Sequence, residues 1–121
     1  MFYPKYVLVN DGVKDITVDM AIEALNYMIK IILSKKPLTN SYKKAITVLQ
    51  SMKTILNNNT PSHNSKDDLK ITIDVIEEVK NSYAKSEEEK RYNAEMAFKC
   101  KLIIEMHYWY ELYYETLNRW K

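Results

Sequence analysis

The chain has 121 residues with 46% hydrophobic and 28% charged side chains, 12% aromatic, and a net charge of only +2. That length suits one domain with its own core, and the apolar fraction is that of a globular protein rather than a disordered one. The near-neutral total argues against a protein that coats nucleic acid uniformly.

A single glycine, Gly12, and three prolines at 4, 37 and 61 leave the apolar-periodic stretches unbroken, which favours helix over sheet. Sixteen lysines against two arginines, with abundant asparagine and isoleucine, resemble the usage of an AT-rich coding genome such as some bacteria and their phages carry. One cysteine, Cys100, allows no internal disulfide, and no charged-then-apolar leader opens the chain. With no apolar run near the length of a membrane span, the expectation is a soluble, cytoplasmic protein with no membrane association.

Two β-branched runs flank Asn10-Asp11-Gly12, a strong turn signal, so a short β-hairpin is expected over residues 6 to 18, with a packed arm as the alternative. Thr17 or Asp19 can cap a first helix. Ala21, Leu25, Met28 and Ile32 form its apolar face, with Ile22, Ile29 and Leu33 beside them, and Pro37 is expected to end it. A second helix follows Thr39 or Ser41, where Tyr42, Ala45, Leu49, Met52 and Leu56 step by 3, 4, 3 and 4 residues. The polar stretch 57 to 66 reads as a loop.

Ser65 and Asp68 offer a capping pair to the next segment. There Leu69, Ile71, Ile73 and Val75 alternate like a strand, while Leu69, Ile73, Ile76 and Val79 or Tyr83 fit a helix; the helix is favoured because the run is too long for an ordinary strand. Ser86 to Glu89 forms a capping box with acids in the first turn, and nothing breaks the helix from there to Lys121. Its seam is Ile103, Met106, Tyr110, Tyr113, Leu117 and Trp120, with a second line of Phe98, Leu102, Trp109 and Leu112. The fold class expected is mainly α: a four-helix bundle-like domain with a long C-terminal helix and a short N-terminal hairpin. Along one helical domain, 1–121, the hairpin or arm takes 1–18, a basic helical hairpin 19–56, a loop 57–66, and acidic and aromatic helices 67–121.

Tyr108, Trp109, Tyr110, Tyr113, Tyr114 and Trp120 crowd the last turns. They fit either a bundle core or a surface that docks a partner or a second copy. Trp109, Tyr110, Tyr113, Tyr114 and Trp120 are the candidate partner-binding residues, since such rings bring large area with few rotors.

Charge is sorted along the chain. No acid occurs between Glu23 and Asp67, a stretch with seven lysines, whereas Asp67, Asp68, Asp74, Glu77, Glu78 and Glu87 to Glu89 dominate residues 67 to 89. Lys35, Lys36, Lys43 and Lys44 cluster at the turn between the first two helices. They are the candidate anion or nucleic-acid site, and with so little arginine any such contact would be lysine to phosphate. The alternative is that basic and acidic helices pair with each other.

No phosphate-binding loop, dinucleotide motif or nucleophile elbow is present. Cys100, His107 and Glu111 share a helix stripe, but three ligands at loose spacing make a poor metal site, and Cys100 reads better as a small buried hydrophobe. No catalytic residue, metal or cofactor is expected, and the chain is read as a non-enzyme. In outline it is similar to small lysine-rich helical phage proteins of the host-takeover or anti-defence kind, and in size and helix count to bacteriocin immunity proteins. That likeness implies an inhibitor or adaptor that works by binding, although no residue motif carries it. A nucleic-acid-binding accessory protein is the second reading.

Overall fold

A computed structural model of the protein describes the backbone of residues 9–10, 15–58, 64–82 and 84–119, and the side chains of 17–58, 64–82 and 84–107. The protein is mainly helical. A short antiparallel ladder, β1 (Val9–Asn10) against β2 (Asp15–Ile16), precedes helices α1 (Val18–Leu33), α2 (Asn40–Asn58), α3 (Lys66–Val79) and α4 (Glu87–Arg119). The rest of the expected hairpin, including the turn at Asp11 and Gly12, lies outside the described residues. So does the centre of the polar loop between α2 and α3, including His63.

Each helix starts where a side chain can satisfy free backbone amides. The Thr17 hydroxyl accepts from the Met20 amide at 3.3 Å, and Thr39 does the same for Tyr42 at 3.2 Å. The Ser65 hydroxyl takes the Asp68 amide at 3.1 Å. At α4, the Ser86 hydroxyl accepts from the Glu89 amide at 3.1 Å. The Glu89 carboxylate reaches one residue beyond the expected box and accepts from the Lys85 amide at 2.9 Å. Pro37 does not itself stop α1, which ends at Leu33. There the Ser34 hydroxyl donates to the Ile31 carbonyl at 2.6 Å and its amide bonds Lys30 and Ile31, closing the last turn.

The segment with two readings is helical. Leu69, Thr72, Val75, Ile76 and Val79 are the buried positions of α3, a helical spacing, while Ile71 and Ile73 flank that face half-buried. Thr72 takes a place that the sequence assigns to Ile73. Its hydroxyl can be buried because it donates to the Asp68 carbonyl one turn back, at 2.7 Å.

The four helices share one apolar core in a bundle-like arrangement. α2 packs on α1 and α3, and α4 packs on α1 and α3. Ala21, Ala24, Leu25, Met28 and Ile32 of α1 meet Leu49 and Met52 of α2, Leu69 and Ile76 of α3, and Met96, Cys100, Ile103 and Ile104 of α4 within the same cluster. α2 and α3 run antiparallel: Tyr42 near the start of α2 donates to Glu78 near the end of α3 at 2.8 Å, and Asn64 ahead of α3 donates to Ser51 at 3.3 Å. No helix among the described residues is long and apolar enough to cross a membrane.

Two α4 positions test this arrangement. Ile104 is wholly buried, so Ile104→Ala should lower the unfolding free energy by about 2–5 kcal/mol. Phe98 is 45% exposed, so Phe98→Ala should cost less than about 1 kcal/mol. Urea melts followed by circular dichroism measure both, and equal losses would place α4 differently.

Candidate interaction surface

The helices are unequal. α4 has 33 residues, against 16 in α1, 19 in α2 and 14 in α3. At the usual rise it spans about 50 Å, roughly twice the length of its neighbours. Side-chain contacts with α1 and α3 anchor it. The Tyr27 hydroxyl of α1 donates to the Asn93 amide oxygen, and the Tyr27 and Tyr92 rings meet edge to face with centroids 5.0 Å apart. Further along, Lys101 donates to Glu77 of α3, which also pairs with Lys80 at 2.9 Å.

The buried line of α4 runs through Asn93, Met96, Ala97, Cys100, Ile103, Ile104 and His107. This corrects the expected seam at its start. Ile103 belongs to the core, but Met106 is half-buried, and Phe98 of the second line is exposed. The steps of the core line, 4, 3 and 4 from Met96 to His107, continue in the sequence through Tyr110, Tyr114 and Leu117.

The α4 backbone carries Trp109, Tyr110, Tyr113 and Tyr114 as one continuous helix, while their side chains and the whole of Trp120 lie outside the described residues. Three large apolar side chains are exposed among the described residues: Leu33 at 54%, Tyr92 at 42% and Phe98 at 45%. Leu33 was expected beside the apolar face of α1 and Phe98 on the second line of α4; both are open, because periodicity does not show which neighbour covers a residue.

The four lysines of the first turn do not act alike. Lys44 pairs with Asp68 of α3 at 3.8 Å, and Lys35 is half-buried, whereas Lys36 and Lys43 are exposed. Part of the basic α2 is thus used against the acidic α3. The bond from Tyr42 to Glu78 holds the Tyr42 hydroxyl above its ordinary pKa, chiefly because the carboxylate accepts its proton. Lys99 is a buried charge that composition does not reveal; it stays beside Glu95 at 3.3 Å, one turn earlier on α4.

Cys100 and His107 are both buried on the core face of α4, His107 with 4% of its surface exposed. Burial pushes the Cys100 thiol up to about 12, against a slight lowering by Lys99. A thiol held protonated in an apolar core is a poor nucleophile and a poor metal ligand. Among the described residues no group of three His, Cys, Asp or Glu is placed to hold a metal ion.

Native Cys100 should therefore react with a disulfide reagent at pH 8 roughly a thousandfold more slowly than the same cysteine in denaturant. Absorbance kinetics would show this, and equal rates would mean an open thiol. At Glu77, the hydrogen bonds from Lys101 and then Lys80 hold the carboxyl below its ordinary pKa of 4.5. A depressed carboxyl stabilises the fold above the unfolded-state value, and that part is lost as pH falls below about 4.5. Glu77→Gln should flatten the acid side of a thermal-midpoint profile by a small amount, since the pair is partly exposed.

No protein-family model matches this sequence, and no curated protein or solved structure is significantly similar to it.

Proposed function

We propose that the protein is a small non-enzymatic helical protein, an inhibitor or adaptor of the phage or mobile-element type, that acts by binding another protein through the C-terminal half of α4. One observation carries the reading: a 33-residue helix is anchored to helices about half its length, and six aromatic residues crowd the sequence beyond His107. Trp109, Tyr110, Tyr113, Tyr114 and Trp120 are the residues assigned to the partner. Rings of this kind concentrate binding energy at interface centres, at small entropic cost.

Burial of Cys100, with its thiol pushed up to about 12, makes that side chain a poor candidate nucleophile. The lysine corner supports a nucleic-acid reading less well, because Lys44 is paired within the fold.

A tagged full-length chain, used to capture partners from native-host lysate with and without nuclease, tests the proposal. A chain ending at Tyr108, which keeps the core through His107, is the comparison. The expected result is a stoichiometric protein that survives nuclease and is lost with the shortened chain, while the circular dichroism of the shortened chain stays helical. Proteins that vanish on nuclease treatment would refute this reading and move the function to Lys36 and Lys43.

A further inference from the structure

The groove between α1 and α4 holds an aromatic pair that the proposed function does not use. Tyr27 of α1 and Tyr92 of α4 meet edge to face, with centroids 5.0 Å apart and ring planes at 88°. Asn93 fixes the pair from the core side: it is buried, and its amide oxygen accepts from the Tyr27 hydroxyl. Tyr27 is half-buried, whereas Tyr92 keeps 42% of its surface in solvent. One ring is therefore held by another and still open on part of its surface.

Carboxylates frame this ring. Glu89 and Glu95 stand three residues before and after Tyr92, so both lie beside it on α4, and Glu23 is one turn before Tyr27 on α1. All three are exposed. Burial, and after it Glu23 and Glu95, holds the Tyr92 hydroxyl above its ordinary pKa; at Tyr27 the causes are burial, then Tyr92, then Glu89. Their negative charge thus reaches both rings. Against it stand Lys99, which Glu95 holds at 3.3 Å, and Lys30, exposed one turn beyond Tyr27 on the side away from Glu23. Glu23 makes no ion pair among the described residues.

We propose that this groove receives an arginine side chain of the protein partner, with the guanidinium over the open Tyr92 ring and paired with Glu23 across the groove. The inference rests on the reading of the chain as a protein-binding molecule and names a second contact, away from the end of α4. An aromatic face attracts a cation, and the carboxylates beside it add to that attraction. A guanidinium is planar, stacks on a ring and offers two donors to one carboxylate, which an ammonium does not. Acids alone would draw any cation without direction; the held ring supplies the direction. Because Tyr27 and Asn93 position that ring before anything binds, little side-chain freedom is lost on binding.

Amide spectra of the nitrogen-15-labelled full chain, titrated with N-acetyl-arginine amide at low salt, are the test. Saturable shifts are expected at the amides of Glu23, Tyr27, Tyr92 and Asn93. N-acetyl-citrulline amide, of the same size without the charge, should leave them in place. Tyr92→Phe, which keeps the ring, should bind as the wild type does. Tyr92→Leu should weaken binding at least about fivefold with helical circular dichroism unchanged. Glu23→Gln should weaken it about twofold and reduce its dependence on salt. Equal binding by Tyr92→Leu, or shifts spread evenly over exposed acids such as Asp67, Asp74 and Glu105, would overturn the site. The chain ending at Tyr108 keeps the groove and should bind arginine amide unchanged. Arginine-amide binding without any protein captured from lysate would end the docking reading and keep the site; captured protein without arginine-amide binding would end the site and keep that reading.

Discussion

Burial of one line of α4 against α1 and α3 sets what the remainder of the molecule can present. Met96, Cys100, Ile103, Ile104 and His107 face inward together, and a helix is rigid in rotation once a few such positions are fixed. Every other α4 position up to His107 then has an assigned direction. Phe98 is turned to solvent because Cys100 and Ile104 are not. The same constraint explains a buried cysteine without thiol chemistry: position 100 needs a small apolar group, and a protonated thiol supplies one.

Polar contacts orient the helices around that core rather than drive their assembly. Tyr42 to Glu78 and Lys44 to Asp68 align the basic α2 with the acidic α3, and Glu77 draws in Lys101 of α4. These groups are largely at the surface, so each adds little free energy, but like charges in the wrong pairing would cost more. The sorted charge of the sequence thus has a use inside the fold. It also leaves Lys36 and Lys43 exposed at one corner.

Unequal helix lengths connect fold and function. Short helices can flank only part of a 33-residue helix, and the sequence beyond His107 gathers six aromatic residues. The proposed function assigns that aromatic length to a protein partner.

The sequence by itself determined the elements. Apolar spacing, scarce glycine and the caps at Thr17, Thr39, Ser65 and Ser86 act within a turn or two of chain, so α1, α2 and α4 and their starts were legible. For α3, local alternation and helical spacing competed, and enclosure of Leu69, Thr72, Ile76 and Val79 on one side decided for helix. The choice among apolar lines on α4 belonged to tertiary structure alone. Periodicity marked Ile103, Met106, Phe98 and Leu102 alike, because spacing records which residues share a face and not which neighbour covers it. The fold covered Ile103, left Met106 and Leu102 half-covered and Phe98 open, and drew in Asn93, Lys99 and His107 through Tyr27, Glu95 and the surrounding core.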